Sequence, residues 1–111
     1  LAFLRRLDDA AAEAYLRSLP GVGVKTARCV LMYALGRAVL PVDTHVWRVS
    51  VRLGLLDGDP LAQPTPAEQE RLQARVPPPL RYGLHVNMVA HGRAVCRAPR
   101  PGAPRPRCPG C

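Results

Sequence analysis

Apolar side chains recur along the chain at spacings of three and four, and no stretch alternates apolar with polar residues long enough to read as a strand. The pattern predicts five helices. Asp8 or Asp9 is placed to cap the first, which runs through an alanine-rich stretch to Leu19. Pro20-Gly21-Val22-Gly23 breaks it. A second helix begins near Val24 and sets Val24, Ala27, Val30, Leu31, Ala34 and Leu35 on one face, with Gly36 and Pro41 bracketing its end. A third starts at Asp43 or Thr44 and turns Val46, Val49 and Leu53 inward. Asp57-Gly58-Asp59-Pro60 reads as a turn. Thr65-Pro66-Ala67-Glu68 is a capping box with proline at the first helical position. It opens a short fourth helix that ends before Pro77-Pro78-Pro79. A fifth runs from about Leu80 to Val95. The expected fold class is all-α, with residues 1–95 as a helical domain and residues 96–111 as a tail without an apolar face.

Composition narrows the picture. A length of 111 residues allows one domain, and 48% hydrophobic content suits a globular chain. No apolar run approaches the ~20 residues of a membrane span, and the first residues do not read as a secretory signal. Sixteen Lys and Arg against eight Asp and Glu leave a net charge of +8. Lys25 is the single lysine; the other cations are arginines. Isoleucine is absent and proline reaches 13, which points to a GC-rich, bacterial genome. The net positive charge falls in residues 20–56 and 71–111, separated by an acidic stretch at 57–70. Such an excess suits a polyanionic partner, with nucleic acid the first candidate. Four cysteines are too few for a disulfide scaffold, and three crowd the C-terminus. That favours metal binding in a reducing compartment, and hence a cytoplasmic, nucleoid-associated protein.

Leu19-Pro20-Gly21-Val22-Gly23-Val24-Lys25-Thr26-Ala27 resembles the helix–hairpin–helix motif of DNA-binding proteins. Two glycines permit a tight turn with positive φ and a close approach of the backbone. The helix that follows points free N–H groups out of its first turn, where they and the helix dipole hold a phosphate oxygen. The alternative is an ordinary helix–helix turn. The flanking residues and the positive charge favour DNA binding through Leu19, Gly21, Gly23, Val24 and Lys25.

Lys25 falls in the first turn of the second helix, where the dipole disfavours a cation. A neutral amine is what a lysine nucleophile requires. Asp43 falls at the start of the third helix, where the dipole favours an anion. A helix of about 13 residues travels ~20 Å. The return through residues 37–42 can span up to ~20 Å. The chain can therefore bring Asp43 back beside Lys25. Taken singly, each has a plainer reading: a solvated charge and a helix cap.

The hairpin followed by Val42-Asp43-Thr44-His45 resembles the endonuclease III family of DNA glycosylases, in the helix–hairpin–helix superfamily with a Gly/Pro-rich loop and a catalytic Asp. The resemblance covers nearly all of this chain and about the C-terminal half of the family. It implies that Lys25 attacks C1′ of a damaged nucleotide and expels the base. Asp43 activates the lysine and stabilises positive charge on the sugar. The resulting Schiff base permits β-elimination, so a lysine here implies abasic-site lyase activity. The implied partner is double-stranded DNA with a damaged base or an abasic site, bound by a monomer. Oxidised pyrimidines are the expected substrates, and a fragment is expected to have low activity in isolation. Two alternatives are a non-catalytic helix–hairpin–helix DNA-binding module and an inactive truncated remnant. His45 is read as structural.

Cys96, Cys108 and Cys111 are three candidate metal ligands, spaced x11 and x2. The family ends in four cysteines, spaced x6, x2 and x5, that hold a 4Fe–4S cluster. Ala98-Pro99-Arg100-Pro101-Gly102 is nearly repeated as Ala103-Pro104-Arg105-Pro106-Arg107, and removing one copy restores the first gap. The fourth cysteine is absent, so the cluster is expected to be incomplete here, with zinc or no metal as alternatives. Cys29 lies mid-helix and is read as a small packing residue rather than a substitute ligand.

Overall fold

A computed structural model describes residues 2–97 of the chain. A 3₁₀ turn, Ala2–Arg6, precedes five helices: α1 (Asp9–Arg17), α2 (Val24–Leu35), α3 (Thr44–Arg52), α4 (Pro66–Arg75) and α5 (Pro78–Ala94). No strand occurs among the described residues, as the hydropathy pattern predicts. None of these helices is long and apolar enough to cross a membrane.

The helix starts follow their caps. Asp8 accepts the Ala11 N–H at 2.7 Å, and Thr65 with Glu68 forms the reciprocal capping box. α1 stops at Arg17, two residues before the predicted end, because Ser18 closes it. α5 starts earlier than predicted. Its first turn contains Pro78 and Pro79, whose missing N–H groups would be unbonded there in any case.

Two hydrophobic clusters make the core. One joins the 3₁₀ turn, α1 and α2 through Leu4, Leu16, Ala27, Leu31 and Met32. The other joins α3, α4 and α5 through Val46, Trp47, Val49, Leu72 and Met88. The buried face of α2 holds five of the six predicted residues, with Val30 and Leu35 partly buried against the core, and adds Arg28 and Met32. Val24, Ala27, Arg28, Leu31 and Met32 point inward, while Ala34 is exposed. Leu53, expected inside, is 56% exposed, since α3 ends at Arg52 and Leu53 is its cap.

Arg28, on α2, is only 2% exposed. Its Nε donates to Glu13 Oε1 of α1 at 2.6 Å, and its Nη2 pairs with Glu70 of α4. Nη1 reaches the Gln69 carbonyl at 3.4 Å. One guanidinium thus ties the first cluster to the second. Arg81 adds a second tie, donating to the Ala38 carbonyl at 2.7 Å, and His85 Nδ1 lies 3.0 Å from the Pro41 carbonyl.

α3 and α5 meet closely at Gly92. A Cβ there would lie 2.9 Å from His45 Cβ and 3.1 Å from Arg48 Nη2. Arg48 fills the contact, donating to the carbonyls of Gly92 at 2.9 Å and Cys96 at 3.0 Å. A cation on the last carbonyls of α5 is well placed against the helix dipole. Gly92→Ala is expected to lower stability by about 1–3 kcal/mol through overpacking. A drop in the urea midpoint without a change in slope checks it.

Candidate functional site

Five segments converge on one cavity of about 320 Å³. α2 contributes Lys25, and the start of α3 contributes Asp43, Thr44 and His45. The loop before α4 contributes Gln63 and Pro64, α4 contributes Gln69, and α5 contributes Arg93.

The hairpin that delivers Lys25 is built from local chemistry. The Val22 N–H donates to the Leu19 carbonyl at 3.2 Å, and Gly21 sits at φ +77°. Proline second and glycine third is the sequence such a turn requires. Gly23 behaves differently from the expectation that both glycines serve positive φ. Its backbone is extended, at φ −97° and ψ −170°, and a Cβ there would meet nothing within 4 Å. The protein's own packing does not demand glycine at 23, and the approach to the start of α2 is open from outside.

That start is also uncapped. Asp8, Asp43 and Thr65 cap α1, α3 and α4 with side-chain oxygens, whereas no side chain caps α2. Its first-turn N–H groups therefore face outward as donors. Leu19, Gly21, Gly23 and Lys25 are exposed, while the Val24 side chain is buried and anchors the turn.

Lys25 is the second residue of α2 and lies open to solvent. Asp43 is the N-cap of α3, its Oδ1 accepting the Val46 N–H at 2.8 Å. The cap uses one carboxylate oxygen, and Asp43 also lines the cavity. The tertiary fold thus sets an amine and a carboxylate around one space, as the loop length allows.

No protein-family model matches the chain. Individual proteins do. Endonuclease III of Rickettsia prowazekii (strain Madrid E) is 44% identical over 87 residues, covering 78% of this chain and 39% of the relative. Endonuclease III of Escherichia coli (strain K12) is 38% identical over 99 residues, covering 89% and 43%. A solved structure of a trapped endonuclease III–DNA covalent intermediate matches with a TM-score of 0.68 at 36% identity, over 89% of this chain and 43% of that one. Over the length it spans, the chain belongs to the endonuclease III family. It spans about two-fifths of the length of these relatives.

The endonuclease III resemblance implies a 4Fe–4S cluster, and the donors can be tested against it. Cys96 is fully buried at the end of α5, and its Sγ accepts from Arg52 Nη1 at 3.2 Å. Cys108 and Cys111, with the repeated pentapeptide between them and Cys96, lie outside the described residues. Among the described residues no three metal-ligating side chains come together. Cys96, Cys108 and Cys111 are the thiols of the tail, and no step below runs through a cluster. Cys29 is not a further ligand. It is half-buried, one turn along α2 from Lys25. Burial pushes its thiol up, with Asp43 adding to the effect and Lys25 opposing it. A thiol held protonated suits packing rather than ligation.

His45 lines the cavity, but its ring is engaged elsewhere. Arg48 Nη2 lies 2.9 Å from Nδ1, and the arginine must be the donor, so Nδ1 is the acceptor of a neutral ring. Burial lowers its pKa from the ordinary value of 6.5, Asp43 opposes this, and Arg48 and Arg93 reinforce it. The unfolded chain therefore binds a proton here more readily than the folded one. The stability this contributes is present above pH about 6.5 and is lost as the pH falls through the lower folded value. Thermal melts at pH 8 and pH 5 are expected to differ more in the wild type than in His45→Gln.

Sequence reasoning did not find Gln63, Gln69 and Arg93. They come from positions far along the chain, and only the packing of α4 and α5 beside α2 brings them to Lys25. The one available signal was the capping box at Thr65, which fixes where α4 starts and hence where Gln69 stands.

Proposed function

We propose that this chain carries the chemistry of a DNA base-excision-repair glycosylase with abasic-site lyase activity. The observation that carries the reading is that Lys25 and Asp43 line one cavity beside an uncapped, glycine-opened helix start. The relatives' name and the covalent DNA intermediate trapped in one of them support it. The hairpin takes a backbone phosphate of duplex DNA on the first-turn amides of α2. A damaged nucleotide turned out of the stack enters the cavity.

The Lys25 amine, having given up a proton, attacks C1′. The C1′–N bond breaks, its electron pair leaves with the base, and a proton from solvent completes the free base. Asp43 faces the positive charge developing on the sugar and the nitrogen. Ring opening gives a Schiff base between Lys25 and C1′. Loss of a proton from C2′ then expels the 3′ phosphate, and water releases Lys25. An arginine at 25 could supply charge but not this covalent step. Oxidised pyrimidines are the proposed substrates. The protein acts as a monomer at the bacterial nucleoid, with residues 1–95 as the helical domain and residues 96–111 as the cysteine-bearing segment.

Incubation with an abasic-site duplex and borohydride tests the reading. A covalent adduct dependent on Lys25 supports it. Duplex binding with no adduct favours a non-catalytic DNA-binding module, and neither binding nor adduct marks an inactive remnant.

A further inference from the structure

Arg93 lines the cavity from the last turn of α5, and its side chain is exposed. An arginine at a helix end has an ordinary duty, which is to donate to the final carbonyls. Here other groups do that. The His91 carbonyl accepts the Val95 and Cys96 N–H groups, at 2.8 and 2.9 Å. The Gly92 carbonyl accepts from Arg48 at 2.9 Å, and the Arg93 carbonyl accepts from Arg97 Nε at 3.2 Å. Among the described residues the Arg93 guanidinium makes no hydrogen bond or ion pair of its own.

The charges of the cavity say what that guanidinium suits. Lys25 and Arg93 are its cations, Asp43 is its carboxylate, and His45 is held neutral by Arg48. Asp43 accepts the Val46 N–H, and among the described residues no ion pair joins it to either cation. A space walled by two unpaired cations favours an anion. A guanidinium is a planar fork that matches the oxygens of a phosphate in pairs. The uncapped start of α2 reaches the same cavity through Lys25, its second residue, and offers amides to one phosphate. Arg93 stands on a different helix and can meet another.

We propose that Arg93 is a DNA-binding residue of this cavity, gripping a backbone phosphate that flanks the turned-out nucleotide while the α2 hairpin holds a second one. Two phosphates held by separate helices fix the strand on both sides of the reacting sugar. The proposal rests on the reading of the cavity as a nucleotide site.

Fluorescence anisotropy with the full chain tests it, on duplexes carrying a tetrahydrofuran abasic analogue that allows no turnover. One duplex has all its phosphates. In two others a neutral methylphosphonate replaces the phosphate on the 5′ or the 3′ side of the analogue. Arg93→Gln is expected to weaken binding to the all-phosphate duplex about tenfold, the range of a charge-assisted hydrogen bond, and to lower the salt slope by about one. On one methylphosphonate duplex the same substitution should cost less than about twofold, because its partner is already gone. On the other the tenfold loss should persist. The melting temperature should stay level, since the side chain is exposed. A tenfold loss that persists on both methylphosphonate duplexes shows a diffuse charge effect and overturns the proposal. So does the absence of any loss, and so does an equal loss on every duplex with a lowered melting temperature. Failure of the nucleotide-site reading shows separately, as wild-type protein that binds the tetrahydrofuran duplex no more tightly than an undamaged one, and it removes the Arg93 proposal too.

Discussion

Lys25→Ala is expected to abolish the borohydride-trapped adduct with an abasic-site duplex, a loss on the order of a thousandfold or more in trapping rate. The covalent step needs a primary amine, and this chain has a single lysine. Lys25→Arg should fail equally while keeping the charge, which separates nucleophile from counter-ion. Neither change should harm the fold, because Lys25 is exposed. Surface substitutions of this kind fall within about 0.5 kcal/mol. Removing a cation from a helix start should be neutral or mildly favourable. Duplex binding should persist in both variants, with the salt slope reduced by about one in Lys25→Ala alone. Trapping that survives in Lys25→Ala would mean that another amine forms the adduct and would sink the assignment.

Arg28→Met is expected to be the most damaging change to stability, at about 2–4 kcal/mol. Arg28 is 2% exposed and holds Glu13, whose side chain is 19% exposed, and Glu70, which is 63% exposed. Loss of the guanidinium returns Glu70 to water at little cost. Glu13 has no such escape and is left as a largely buried carboxylate without a partner, which places the figure below that of a fully buried pair. Met keeps the apolar stem, so the effect isolates the charge. A domain of this size is stable by only about 5–15 kcal/mol, so the loss should be plain in a urea titration. Adding Glu13→Gln should recover part of it, since the pair is coupled. If Arg28→Met unfolds at the wild-type midpoint, the tie between the two clusters is not what holds them. The folded fraction of the variant should also trap more slowly than the wild type. Arg28 lies one turn along α2 from Lys25, and it fixes α2 against the helix that carries Gln69.

The residues of the proposed chemistry stand in patterns that precede the fold. Lys25 behind Pro-Gly-Val-Gly and Asp43 before a helix are local patterns, and local backbone rules decide them. Gly21 at φ +77° and Asp43 as a cap follow directly from such rules. Gly23 shows their limit. Its extended backbone needs no glycine, and a Cβ there would meet nothing within 4 Å.

Hydropathy failed where charge is buried. Arg28 occupies a core position on α2 that hydropathy does not mark, because a lone arginine in a helix reads as surface, while Val30 and Leu35 pack against the core as the spacing predicts. Its partners lie 15 and 42 residues away, on α1 and α4. Arg48 is a second case, satisfied by carbonyls of α5 that no local pattern announces.

By itself, then, the sequence determined the five helices, most of their boundaries, the hairpin and the two residues of the proposed chemistry, because capping, turn geometry and helical spacing act over a few residues. Tertiary structure alone decided that Arg28 joins the buried face of α2, how two small cores are tied by one guanidinium, and that Gln63, Gln69 and Arg93 share a cavity with Lys25. Those outcomes depend on pairing groups distant in the chain, and the cost of burying a charge or an amide is met only when a partner arrives through folding.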